Sequence, residues 1–124
     1  MRTQITAAKG AKPVGPYSHA IKCSGTFLYV SGQGPASPAT GVAPATFREA
    51  AVQCLANLAT IVEAAGASMA DVVKVNAYLR DMADFAVFNE VYKTVFSEPF
   101  PARTTVQSNI NIPIEVDVIV VMPE

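Results

Sequence analysis

The stretch from Ile114 to Val121 constrains the fold more than any other part of the chain. Ile114, Val116, Val118 and Val120 recur at every second position, the period of a β-strand, and make one wholly apolar face. The opposite face carries Glu115 and Asp117, then Ile119 and Val121. A strand of this kind needs a layer packed on its apolar side. Carboxylates in so apolar a segment are costly unless they are paired or open to a cleft.

Two segments have the period to supply that layer. Thr46 with Glu49 three residues later forms a capping box at a helix start. Val52, Leu55, Leu58 or Ala59, and Val62 then keep helical spacing, and Gly66 ends the run as a C-terminal cap. Ala50, Ala56 and Ala64 permit close approach to a sheet. A second helix is predicted from about Met82 to Phe96, with Phe85, Phe88, Val91 or Tyr92, and Val95 as its buried stripe. Ser97 to Pro101, with two prolines, stops it.

Further strands are predicted at Asp71 to Leu79 and at Ala102 to Gln107. In the first, Val73, Val75, Ala77 and Leu79 face one way and Val72, Lys74, Asn76 and Tyr78 the other. In the second, Arg103, Thr105 and Gln107 share a face. Ala20 to Cys23 and Thr26 to Ser31 flank the turn pair Ser24-Gly25 and read as a hairpin. A short strand at Thr3 to Thr6 precedes them. The sum is an α+β fold: a mixed sheet with two helices on one face. At 124 residues, without repeat or linker, residues 1–124 form a single domain.

Composition bears on partners. Hydrophobic residues are 51% and charged residues only 15%, against about 25% in an ordinary soluble domain. So small and apolar a chain is expected to bury part of its surface against other copies of itself, which would also cover the second face of the sheet. No apolar run approaches the ~20 residues of a membrane span. Nine Lys and Arg oppose ten Asp and Glu, with no basic tract, so nucleic-acid binding is not expected. With no secretory leader pattern, the chain reads as cytoplasmic. Cys23 and Cys54 lie 31 apart and read as small buried hydrophobes in a reducing compartment. His19, the sole histidine, supports neither a metal set nor a two-histidine mechanism.

Four features could carry chemistry. Arg103, in Pro101-Ala102-Arg103-Thr104-Thr105, offers a planar fork of donors that fits a carboxylate; the alternative is a surface salt bridge. Glu115 could hold and polarise a water, or pair with a cation; Asp117 reads as structural. In Gly15-Pro16-Tyr17-Ser18 a rigid bend presents Tyr17, either capping a pocket or packing over a sheet edge. In Ser31-Gly32-Gln33-Gly34-Pro35, glycine lets backbone N–H groups approach a ligand, although no phosphate-loop pattern is present. No GxSxG, HExxH or nucleophile–histidine set occurs.

Taken in order, these pieces resemble the RidA (YjgF) family of enamine/imine deaminases over nearly the whole chain. Gly15-Pro16-Tyr17-Ser18 and Val30-Ser31-Gly32-Gln33 look like its first two motifs. Glu63 to Ser68 through Asp71 to Lys74 looks like its helix-to-strand junction, and Asp81 to Phe85 with Asn89 to Tyr92 like its second helix. Pro101-Ala102-Arg103-Thr104 looks like its signature. The resemblance implies a chorismate-mutase-like fold and a homotrimer with clefts between subunits. It implies hydrolysis of 2-iminopropanoate or 2-iminobutanoate to a 2-ketoacid and ammonia, with no metal and no cofactor. By position, Arg103 would bind the substrate carboxylate and Glu115 would hold the attacking water. Tyr17, Ser31 and Asn89 would line the pocket, with backbone groups of Gly32 and Thr105 orienting the imine. Thr105 stands where many members have cysteine. The segments before Pro101 and from Ser108 to Pro113 are shorter than in the typical bacterial member. The competing functions are a ketoacid-binding module without turnover, a deaminase for another substrate such as aminomuconate, a ribonuclease, and a chaperone-like interaction protein.

Overall fold

The computed structural model describes residues 2–124. Eight main elements follow in order: β1 (Arg2–Ile5), β2 (Ala20–Cys23), β3 (Phe27–Gln33), α1 (Phe47–Ala64), β4 (Val72–Leu79), α2 (Phe85–Val95), β5 (Ala102–Gln107) and β6 (Ile114–Val121). The main sheet has the order β3-β6-β4-β5, and β1 pairs with β2 in a separate ribbon. β6 runs antiparallel to both β3 and β4, whereas β5 runs parallel to β4. The parallel pair needs a crossover, and α2 supplies it.

The alternation of β6 is realised as expected. Ile114, Val116, Val118 and Val120 are buried beneath the helices together with Val75, Ala77 and Leu79 of β4. Burial of each valine contributes about 1.5–3 kcal/mol. α1 and α2 lie on this one face, so the architecture is the α+β layer expected from the sequence.

The start of α1 differs in detail from a full capping box. Thr46 Oγ1 accepts from the Glu49 N–H at 3.2 Å, and its hydroxyl donates to Glu49 Oε1 at 2.8 Å. The end of α1 is a Schellman motif. Gly66, at φ +90°, donates to Glu63 O, and Ala67 donates to Val62 O.

Three local expectations are corrected. Val52 is 52% exposed and does not belong to the core stripe of α1, which runs through Ala51, Cys54, Leu55, Leu58 and Val62. The rest of the expected stripe, Leu55, Leu58 and Val62, is fully buried, so only its first member is replaced, by Ala51. Second, β2 and β3 form no hairpin. β2 pairs with β1, and β3 pairs with β6, bringing Leu28 opposite Val120 and Val30 opposite Val118. Pairing with β6 buries these apolar side chains, which the largely exposed β2 could not do. Gly25, at φ +133°, serves as the corner between the two sheets. Third, a register shift between Val72 and Lys74 places Val72 fully in the core, not on the face of Lys74.

A second irregularity matters for function. β3 pairs Val30 with Val118 but Gln33 with Val116, so Ser31 and Gly32 together stand opposite Asp117. This bulge ends the regular pairing of β3 beside Glu115. The face of the sheet away from the helices carries Tyr29, Phe27 and Val106, all exposed. Among the described residues no helix is long and apolar enough to cross a membrane.

Candidate functional site

Arg103 is the second residue of β5. It lies in register with Val75, which pairs with Val118, so its side chain rises on the helix face. There α2 receives it. Arg103 Nη1 donates to Asn89 Oδ1 at 2.8 Å. The guanidinium carbon lies 4.8 Å from the ring centre of Tyr92, 5.5 Å from Phe88, 5.7 Å from Phe85 and 5.8 Å from Tyr17. Rings at these distances stabilise a cation through their negative faces.

Tyr17 reaches the site because its segment lies along the edge of β5. Ser18 bridges to Ala102 in parallel, and the Tyr17 N–H bonds to Gly15 O at 2.9 Å. The Tyr17 hydroxyl accepts from the Val14 N–H at 3.2 Å. Gly15 is close enough that a Cβ there would stand 3.3 Å from Arg103 Nη2.

Burial lowers the Arg103 pKa from its ordinary value, and the neighbouring Tyr92 and Tyr17 oppose that shift. The group remains a cation. The salt-bridge alternative is not what the fold provides. Among the described residues the ion pair within 4.0 Å is Arg48 with Glu90, at 2.7 Å on the surface. Arg103 is a partly desolvated cation held by one neutral amide and four rings, which leaves its charge without a counter-ion among the described residues.

Thr105 follows Arg103 on the same face, opposite Ala77. Its hydroxyl is buried without a hydrogen-bond partner, as is the hydroxyl of Tyr92. Burial also pushes the Tyr92 phenol well up from its ordinary range.

Glu115 belongs to the other side of the sheet. It pairs in register with Tyr78 and sits against the bulge. A Cβ on Gly32 would stand 2.9 Å from Glu115 Cδ, so the glycine is what lets the carboxylate lie against the backbone there. Ser31 is exposed beside it. Asp117, two residues on, accepts from Asn76 Nδ2 at 2.9 Å. Its charge, with burial and a hydrogen bond, raises the Tyr78 phenol. Asp117 is therefore structural, as the sequence suggested.

The predicted site residues thus form two groups. Tyr17, Asn89, Arg103 and Thr105 gather on the helix side; Ser31, Gly32 and Glu115 gather on the open side. Sequence reasoning assigned Phe85, Phe88 and Tyr92 only to the buried stripe of α2. The signal for their second role was the polar Asn89 set inside an aromatic run.

Other candidates resolve as structural. His19 Nδ1 accepts from the Ala7 N–H at 3.0 Å, and its Nε2 bonds Ala11 O, so the ring staples the N-terminal loop. Cys54 donates to Gln33 O at 3.2 Å, and burial pushes its thiol up to about 12. A cavity of about 470 Å³ lies under the loop after β3. Its walls are mostly apolar, and the Asn57 amide there is occupied by Gly34 O and Ala36 O. It offers little to fix a polar ligand. Among the described residues no group of three His, Cys, Asp or Glu could hold a metal.

Comparison with known proteins bears on the family and the fold. The family model described as endoribonuclease L-PSP matches residues 8–122. A RutC family protein of Pyrococcus horikoshii is 46% identical over 108 residues, 86% of this chain and 85% of that protein. A 2-iminobutanoate/2-iminopropanoate deaminase of Dermatophagoides farinae is 42% identical over 103 residues, 82% of this chain and 80% of that one. The crystal structure of RidA from the Antarctic bacterium Psychrobacter is 39% identical, with a TM-score of 0.76 over 97% of this chain and 99% of that one. The chain belongs to the endoribonuclease L-PSP family, that of the RidA and YjgF proteins.

Proposed function

We propose that this protein hydrolyses small 2-imino acids to 2-ketoacids and ammonium. For the smallest case, CH3–C(=NH2⁺)–COO⁻ and water give CH3–CO–COO⁻ and NH4⁺. The observation that carries this reading is Arg103: a cation caged by rings, bonded to one amide, with no carboxylate partner among the described residues. The name of the Dermatophagoides farinae relative supports the substrate class.

Arg103 takes the substrate carboxylate through its planar fork and so fixes the position of C2. Glu115 holds a water and accepts its proton as the oxygen attacks C2. Glu115 passes that proton to nitrogen; as the C–N bond breaks and C=O forms, Glu115 takes the carbinolamine hydroxyl proton and hands it to the departing ammonia, which leaves as ammonium. A protonated imine is electrophilic without further activation. Backbone groups of Gly32 and Thr105 orient the imine, and Tyr17, Ser31 and Asn89 line the pocket.

The two groups face opposite sides of one sheet, so one copy supplies Arg103 to a cleft and a second copy supplies Glu115. A homotrimer with a cleft at each subunit boundary satisfies this, and it covers the exposed Tyr29, Phe27 and Val106. The ribonuclease reading fits less well, because a net charge of -1 without a basic tract gives RNA phosphates little to bind.

The test generates 2-aminoacrylate from serine with a pyridoxal-phosphate dehydratase and traps surviving imine with semicarbazide. The native protein is expected to speed imine loss, and Arg103→Ala is not. Equal traces with and without the native protein would overturn the proposal.

A further inference from the structure

Three consecutive carbonyls lead into β5, and each accepts a hydrogen bond from the N-terminal segment. Arg2 Nη2 donates to Pro99 O at 3.3 Å. The Ser18 hydroxyl donates to Phe100 O, and the Ser18 N–H donates to Pro101 O at 3.1 Å. Gln4 Nε2 in turn donates to Ser18 Oγ at 3.1 Å. The hydroxyl is thereby oriented, with a lone pair toward Gln4 and its proton toward Phe100.

Ser18 is only 3% exposed. It follows Tyr17, one wall of the Arg103 site, and bridges to Ala102, the residue before Arg103. One buried residue, through its backbone at Pro101 and its hydroxyl at Phe100, therefore joins a wall of the site to the turn that leads to its cation. We infer that Ser18 is a positioning residue: its hydroxyl fixes the turn at Phe100 and Pro101 so that Arg103 leaves β5 into the ring cage. The inference concerns the aim of Arg103 and rests on the proposed function only where substrate is used as the readout.

Removing the hydroxyl leaves the Phe100 carbonyl without its buried donor while keeping the backbone bridge. The turn then relaxes and the guanidinium shifts. Arg103 holds the carboxylate before and during reaction, so its displacement acts mainly on KM. A purely structural Ser18 would change stability and leave the guanidinium in place.

The experiment follows the Arg103 Nε–H resonance, assigned by its loss in Arg103→Lys and displaced in the native protein by the four surrounding rings. Ser18→Ala is expected to move it toward the position of an exposed arginine. KM for 2-iminopropanoate should rise about tenfold, with kcat within about twofold. Ser18→Thr should restore both. Gln4→Ala should move the resonance the same way by less, and it decides the matter if Ser18→Ala does not fold. An unmoved resonance in folded Ser18→Ala, or in Gln4→Ala should that variant be needed, overturns the inference. A moved resonance in a protein that never turns over imine leaves Ser18 as assigned and removes the proposed function instead.

Discussion

Arg103 and Glu115 stand on opposite faces of the same sheet. Arg103 pairs in register with Val75, and Val75 with Val118; Glu115 is three residues from Val118 and so points the other way. Arg103 meets the aromatic face of α2, and Glu115 meets the bulge at Ser31 and Gly32. No rotamer change brings two such side chains together through a packed sheet. Their joint use requires a second copy of the chain.

The closeness of Gly32 to Glu115 predicts a separation of activity from stability. In Gly32→Ala the new methyl displaces the carboxylate, which is the movable end of a side chain, and the backbone need not shift. Melting should change by no more than about 3 °C. Turnover of imine, measured as kcat/KM, should fall by on the order of a hundredfold as the water loses its place.

Arg103→Met tests the cost of holding a desolvated cation without a counter-ion. The methionine keeps most of the apolar contact with Tyr92, Phe88 and Phe85 and removes the buried charge. Its melting temperature should equal or exceed that of the native protein, while kcat/KM falls about a hundredfold or more. A large loss of stability would mark Arg103 as part of the scaffold.

The buried hydroxyl of Thr105 has no hydrogen-bond partner. Thr105→Val replaces it with a methyl of similar shape and should be neutral or stabilising, by up to about 1 kcal/mol in a denaturant titration. Activity should stay within a few-fold, because the proposed mechanism uses the backbone at this position and not the hydroxyl. A tenfold loss would give the hydroxyl a role.

Cys54 predicts the alkaline limb of stability. Its thiol is raised from 9.0 to about 12 in the fold, so the unfolded chain ionises first. The stability linked to this group is complete below pH 9 and is lost progressively as pH rises toward about 12. Chemical denaturation from pH 8 to 11 should show a steeper decline for the native protein than for Cys54→Ala. Parallel curves would contradict the assignment.

Much of this was legible in the sequence. The alternation of β6 fixed its two faces, and Gly66 fixed the end of α1. Arg103 and Tyr17 stand out by residue type and local pattern, whereas Asn89 stands out only through the family resemblance. What the sequence left open was relative placement. Helical period places Leu55, Leu58 and Val62 in the core, but at the first turn it does not decide between Val52 and Ala51, and the smaller residue is the buried one. A turn pair such as Ser24-Gly25 does not reveal that β6 offers β3 a better partner than β2 does. The bulge at Ser31 and Gly32 depends on pairing with β6, and it decides what Glu115 touches. The ring cage combines residues from α2, β5 and the segment before β2, a juxtaposition that no single periodicity encodes.

The sharing of one cleft between two copies is tested most directly by mixing inactive variants. Arg103→Ala and Glu115→Gln should each fail to hydrolyse 2-iminopropanoate. Unfolded together in equal amounts and refolded, they should recover about a quarter of the native rate, the chance that a cleft draws both intact side chains. Failure of the mixture to exceed either variant alone, beside an active native protein, would contradict the account.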